Sequence, residues 1–309
     1  MTEVRPFARR DREQLVRLAS AHVAAAMPGG SLPTAVLLSQ LEHPVGEPII
    51  GPWVQELETL VAVERDQLVA AAHLRRYLDE ERVSAAYRNA AEVVWMLYWP
   101  DHRRAGQAVL AAAMERMRQW RCRQWLADGA LPAPGVYGVS DAWRHIIELY
   151  EEAGFDPHLR GPSEPAGGQT EMVFAGDLAA IAPPGPPPME GLALRRELGP
   201  LGTAFNAVLD GETVGTFEVD DDLTRGGTNA AYAPWADECN HWVHDGLRGR
   251  GIGTWLVASG AAWLRLGGKA RLMAYVIEDD GIEKATAYYA RYQMQPVNRT
   301  TRGWTRSPS

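Results

Sequence analysis

Leu15, Leu18 and Val23 fall on one stripe between residues 11 and 26, and that spacing predicts a helix, stopped by Pro28-Gly29-Gly30. A short strand over 2–7 precedes it, and a second short helix is expected over 33–41. Apolar runs at 60–63, 67–74, 83–87 and 92–99 read as strands, parted by turn signals at Arg65-Asp66 and Asp79-Glu80-Glu81. Val109, Leu110, Ala113, Met114 and Met117 recur at helical spacing, which predicts a helix over 106–120. A strand at 124–126, a helix over 142–153 and a closing strand at 171–174 complete this half.

The run Ala182-Pro183-Pro184-Gly185-Pro186-Pro187-Pro188 can neither continue a helix nor sit inside a sheet, because proline fixes φ and lacks an amide donor. It reads as a linker over 181–190 between domains at 1–180 and 191–309. The second half has strands at 192–195, 204–209 and 213–219, the last two joined by Asp210-Gly211, a type I′ hairpin signal. No helices follow its first strand. A long segment over 229–243 leads to a helix over 251–266, ended by Gly267-Gly268. A strand at 271–277, a helix over 282–291 and an extended piece over 295–304 follow.

Composition narrows the classes. The 309 residues are 46% hydrophobic, enough for two ordinary domains with real cores. A net charge of −8 and a pI near 5.5 argue against nucleic-acid binding, which needs a basic footprint. Only Cys122 and Cys239 occur, too few for a disulfide framework or a cysteine-rich metal site, and a cytoplasmic location fits. The charged N-terminus is unlike a signal peptide, and no apolar run approaches membrane-spanning length, so no membrane partner is expected.

One pattern occurs twice. Arg103-Arg104-Ala105-Gly106-Gln107-Ala108 and Arg248-Gly249-Arg250-Gly251-Ile252-Gly253 each follow a strand-like run and open a helix. Each is followed by an aromatic cluster: Leu149-Tyr150-Glu151-Glu152-Ala153-Gly154-Phe155, then Tyr288-Tyr289-Ala290-Arg291-Tyr292-Gln293-Met294. The Arg103–Tyr150 and Arg248–Tyr289 spacings are 47 and 41 residues. A helix N-terminus offers amide donors and a positive dipole end, glycine lets a phosphate approach the backbone, and arginine matches its charge. A single copy reads equally as a glycine-rich turn before a structural helix. Two copies in the same order favour a duplicated domain for a phosphate-bearing cofactor. No Gly-Lys-Ser/Thr ending is present, and the glycine spacing does not suit a dinucleotide fold. Cys239, His241, His244 and Asp245 do not share one strand face, so no metal is expected.

These motifs resemble the GNAT superfamily of acyl-CoA-dependent N-acetyltransferases, in two copies that cover nearly the whole chain. Copy one keeps Pro100 and the Gly154-Phe155 ending; copy two has Asp245 and Gln293-Met294 instead. The resemblance implies an α/β (α+β) fold: two tandem domains, each a mixed, mostly antiparallel sheet with a splayed central strand and flanking helices. It implies acetyl-CoA as cofactor, held by main chain at Trp242, Val243 and His244, with its diphosphate on Arg248, Gly249, Arg250, Gly251, Ile252, Gly253 and Thr254. In copy one the equivalents are Leu97, Tyr98 and Trp99, then Arg103, Arg104, Ala105, Gly106, Gln107 and Ala108, with Tyr150 at the tyrosine position.

Acyl transfer to an amine needs a base for the amine proton and an acid for the thiolate. The resemblance puts Tyr289 in the acid role in copy two and a carboxylate at Asp237 or Glu238. Neighbouring strand residues face opposite sides, so at most one enters the cleft, and Glu238 is preferred as base, a solvated loop carboxylate being the equal alternative. Tyr150 reads equally as an acid or as a buried aromatic. Glu92 occupies a comparable strand in copy one. The expectation is a small-molecule amine acceptor, catalysis in the C-terminal copy, and a monomer or homodimer. The alternative is a non-catalytic acyl-CoA sensor or scaffold.

Overall fold

The first helix forms where its stripe predicts: α1 (Arg12–Ala26) buries Leu15, Leu18 and Val23. The structure is a computed structural model and describes residues 2–45, 51–158, 169–224, 229–278 and 281–308. The chain divides into two units, Met1–Glu171 with Asn298–Ser309, and Met172–Val297.

In the first unit, β1 (Glu3–Pro6) and α1 precede α2 (Thr34–Leu41), β2 (Val54–Glu64), β3 (Gln67–Tyr77) and β4 (Ala90–Tyr98). Next come α3 (Arg103–Gln119), β5 (Gln124–Ala127), β6 (Val139–Ser140) and α4 (Arg144–Glu152). The β2–β3 hairpin turns at Arg65 and Asp66 with φ of 47° and 64°, the left-handed pair of a type I′ turn. All nine residues of β4 are buried, as expected for a central strand covered on both faces. The run 83–87 is not a strand but a pair of turns, with the Tyr87 and Arg88 amides donating to the Ser84 carbonyl. It has no edge to join, because β3 already lies between β2 and β4.

In the second unit, β7 (Gln169–Asp177), β8 (Ala193–Leu198), β9 (Thr203–Leu209) and β10 (Glu212–Asp220) lead to β11 (Trp235–Val243) and α5 (Ile252–Leu266). After these come β12 (Arg271–Ile277), α6 (Ile282–Ala290) and the start of β13 (Gln295–Arg302); the chain from Asn298 on, with β14 (Trp304–Arg306), belongs to the first unit. Asp210 and Gly211 have φ of 51° and 86°, as the hairpin signal requires. The core gathers Phe205, Phe217, Leu256, Leu264 and Phe174 between sheet and α5.

The two sheets repeat one plan. The first runs β1-β2-β3-β4-β5-β14, and six strands of the second unit run β8-β9-β10-β11-β12-β7. In each, successive pairs among the first four strands are antiparallel, and the fourth and fifth, β4 with β5 and β11 with β12, are parallel. The sixth strands correct the linear division at the proline run. Met172 onward belongs to the second unit, and β14 pairs with β5 in the first through Trp304↔Ala127 and Arg306↔Trp125. The reason is that β5 and β12 each leave an open edge, and local sequence does not say which extended segment fills it. The proline-rich stretch accordingly lies inside the second unit, where the Trp255 indole donates to the Gly185 carbonyl at 3.2 Å.

Candidate active site

The fourth strand of each unit parts from the fifth halfway along. β11 pairs with β12 only from Trp235↔Arg271 to Glu238↔Ala274, so residues 239–243 have no partner strand on that side. A β-bulge lies at the parting: Val219 pairs with Glu238, but Glu218 pairs with Asn240, which leaves Cys239 extra. The extra residue resets the alternation, so Glu238 and His241 lie together, with His241 Nδ1 3.4 Å from Glu238 Oε1. Strict alternation, which would put Cys239 and His241 on one face and Glu238 on the other, is corrected by this bulge. Cys239 itself is only partly exposed, and burial with the nearby Asp237 pushes its thiol up to about 12, far from a reactive thiolate.

A cleft of about 840 Å³ opens where the strands diverge. Glu238, Trp242 and Val243 line one wall, and Arg248, Gly249, Gly251, Ile252, Gly253 and Thr254 line its end. Tyr289 comes from α6. Asp237, His244 and Arg250 are not among the lining residues. The His244 ring instead accepts from the Gly246 amide at 3.3 Å and caps a short turn. Gly249 and Gly251 have φ of 77° and 86°, and a Cβ at Gly249 would meet nothing within 4 Å, so this is an open loop of amides at the start of α5. A Cβ at Gly253 would come 3.3 Å from His241 Nε2, so glycine lets the helix start reach the strand. Arg248 donates to the Val243 carbonyl and pairs with Asp245 at 2.8 Å.

Tyr289 stacks on Phe174, and its hydroxyl donates to Glu238 Oε1 at 2.9 Å. Burial first, then the Glu238 charge, push the Tyr289 hydroxyl well above its ordinary range. Sequence reasoning missed several partners here. Tyr288 Oη stands 3.4 Å from His241 Nδ1 and 3.1 Å from Tyr292 Oη, which in turn lies 3.4 Å from Thr254 Oγ1. A run of polar groups thus connects the first turn of α5 to Glu238. Lys284 and Arg291 add cations to the cleft wall. Their signal in the sequence was the helix itself: Lys284, Tyr288 and Arg291 recur at spacings of four and three.

The first unit keeps the scaffold and fills the opening. β4 pairs with β5 only from Ala90↔Gln124 to Val93↔Ala127, and its bulge leaves Val94 extra, matching Cys239. Register therefore puts Val93 where the second unit has Glu238, and Glu92 where it has Asp237. Leu97 and Tyr98 are fully buried. The Tyr98 carbonyl is taken by His145 Nε2 at 3.1 Å, and the Tyr98 hydroxyl donates to the His145 carbonyl at 2.7 Å. The Trp99 amide donates to the Val69 carbonyl. A Cβ on Gly106 would meet the Tyr98 ring at 2.8 Å. Arg103 pairs with Glu152 and Glu148, Ala105 is buried, and Arg104 and Gln107 are exposed with Ala108 half-buried. The Tyr150 hydroxyl donates to the Asp128 carbonyl at 3.1 Å, the structural use of that tyrosine.

The sequence model of the acetyltransferase (GNAT) family matches residues 175–293, nearly the whole second unit. The second unit thus carries the sequence match to the GNAT family. Among solved structures, the fold is similar to a tandem GNAT protein from the clavulanic acid biosynthesis pathway, with TM-score 0.62 and 18% identity over 100% of this chain and 99% of that one. A GCN5-related N-acetyltransferase from Sphaerobacter thermophilus matches with TM-score 0.60 and 16% identity over 99% and 95%. A glucosamine N-acetyltransferase region of a fungal multi-domain enzyme matches 99% of this chain and 38% of that one, with TM-score 0.61 and 12% identity. No curated protein matches the sequence. The chain has the tandem GNAT fold, with the glycine loop over 248–253 open in the second unit. Among the described residues no helix is long and apolar enough to cross a membrane.

Proposed function

We propose that the second unit transfers the acetyl group of acetyl-CoA to a small-molecule amine. The observation that carries this reading is the Tyr289–Glu238 hydrogen bond of 2.9 Å at the point where β11 leaves β12, beside an open glycine loop. The cleft fits a nucleotide thioester: the amides at Gly249, Gly251 and Gly253 and the start of α5 suit a diphosphate, and Arg248, Lys284 and Arg291 supply its counter-charge. The unpaired strand edge at 239–243 offers main-chain groups to an amide-bearing arm. When bound, acetyl-CoA supplies an activated acetyl group.

An amine attacks only when neutral, and Glu238 is placed to take its proton directly or through one water. Tyr289 carries a proton through the neutral and alkaline range and hands it to the departing sulfur. Glu238 then returns a proton to the hydroxyl it already holds. His241 stands 3.4 Å from the same Glu238 oxygen and 3.4 Å from the Tyr288 hydroxyl, and helps position that carboxylate. A protein that only sensed acyl-CoA would have no need of this pair.

Turnover of acetyl-CoA with a panel of amines, followed by release of free thiol, tests the proposal. Tyr289→Phe and Glu238→Gln should each lower kcat by about a hundredfold with acetyl-CoA binding retained. Unchanged kcat in both would remove the assignment.

A further inference from the structure

The first unit contains a second cavity, of about 400 Å³, where β2 begins and β3 ends, on the paired side of the β4–β5 parting. Trp53, Tyr77 and Tyr87 form its walls, with Arg75 beside them. The Tyr77 and Tyr87 rings are 5.0 Å apart at 52°, and those of Trp53 and Tyr87 are 6.4 Å apart at 37°. Trp53 and Tyr87 are each 36% exposed, large apolar groups left at a mouth.

Arg75 is the unusual member. Its neighbour Arg76 pairs with Glu56 at 2.6 Å, and Arg116 pairs with Glu58 at 2.5 Å. The Nε of Arg75 is buried without a hydrogen-bond partner among the described residues. Its cross-strand neighbour is Glu92, whose carboxylate accepts the Tyr77 hydroxyl rather than pairing with the guanidinium. Burial pushes the Glu92 carboxyl up, against the pull of Arg75, which weakens it as a counter-ion. A half-buried guanidinium whose Nε is unbonded among the described residues, and whose facing carboxylate is already engaged by Tyr77, stands at the edge of a ring-walled cavity and suits an anionic partner with a flat body. A cationic guest would suit the three rings but not the guanidinium among them.

We infer that this cavity binds a small aromatic carboxylate, with Arg75 pairing the carboxylate and Trp53, Tyr77 and Tyr87 enclosing the ring. The volume is at the small end of ligand sites and holds one such molecule. The site does not draw on the cleft of the second unit.

The probe is phenylacetate, titrated into the full chain and followed by ligand-observed NMR, with benzylamine and phenylacetamide as controls. Phenylacetate should bind, and benzylamine should not. Arg75→Gln should weaken phenylacetate by about tenfold or more. Trp53→Ala, at an exposed position that does not threaten folding, should weaken it as well, with thermal melting checked for both variants. Gly251→Glu and added acetyl-CoA should leave binding unchanged. Absence of binding at about 10 mM would overturn the inference. So would equal binding of benzylamine, indifference to both Arg75→Gln and Trp53→Ala, or displacement by acetyl-CoA.

Discussion

Glu238 and His241 meet because Cys239 is an extra residue in β11, a one-residue event that strict alternation does not foresee. The sequence led to Glu238 over Asp237 and to Tyr289 as the family tyrosine, and these side chains do touch. It did not lead to His241, Tyr288 or Tyr292, whose polar contacts depend on the bulge and on the face α6 presents. At this scale the pH behaviour is specific. Tyr289 is shifted upward, so its proton is lost only above the ordinary tyrosine range near about 10. The kcat of the native protein should show no alkaline fall from tyrosine ionisation between about pH 8 and 10. A fall there that disappears in Tyr289→Phe would contradict the account.

Among elements, the contrast between the starts of α3 and α5 explains why one motif is open and the other closed. The Arg-Gly-Arg-Gly-Ile-Gly run was legible as a loop, because Gly249 and Gly251 need left-handed φ. Replacing both by alanine should cost about 1–2 kcal/mol each in stability, measured by denaturant unfolding, and should weaken acetyl-CoA binding together with it. The closed state of the first unit was not legible, since Leu97, Tyr98 and Trp99 look like any apolar strand end until His145 is seen to occupy the Tyr98 carbonyl. His145 also meets His22 of α1, at 3.3 Å between ring nitrogens. Burial lowers His22 to about 4 from its usual 6.5, and His145 is lowered too. A histidine held neutral in the fold stabilises it above the unfolded pKa, and that contribution is lost as pH falls towards the folded one. The gap in melting temperature between the native protein and His22→Asn should therefore narrow from about pH 6.5 to 4. A gap that is constant with pH would count against this packing.

For the whole molecule, the duplicated plan was visible in the sequence and the path of the chain was not. Hydrophobic periodicity located the helices and most strands, but residues 171–174 and 304–306 carry no mark of which sheet edge they complete. Removal of Asn298–Ser309 should strip β14 from β5, and it should orphan the buried Ser140 hydroxyl and the Gly135 carbonyl, both of which meet Asn298. A fragment ending at residue 297 should melt at least about 10 °C below the full chain or fail to stay in solution. An unchanged melting temperature would refute this closure. The central claim, that the open loop of the second unit is the cofactor site and the first unit's copy is closed, is tested most directly by calorimetric titration of acetyl-CoA into the full chain. The account predicts one site per chain, weakened by about tenfold or more in Gly251→Glu and unaffected by Arg103→Glu. Two sites per chain, or loss of binding in Arg103→Glu with Gly251→Glu intact, would contradict it.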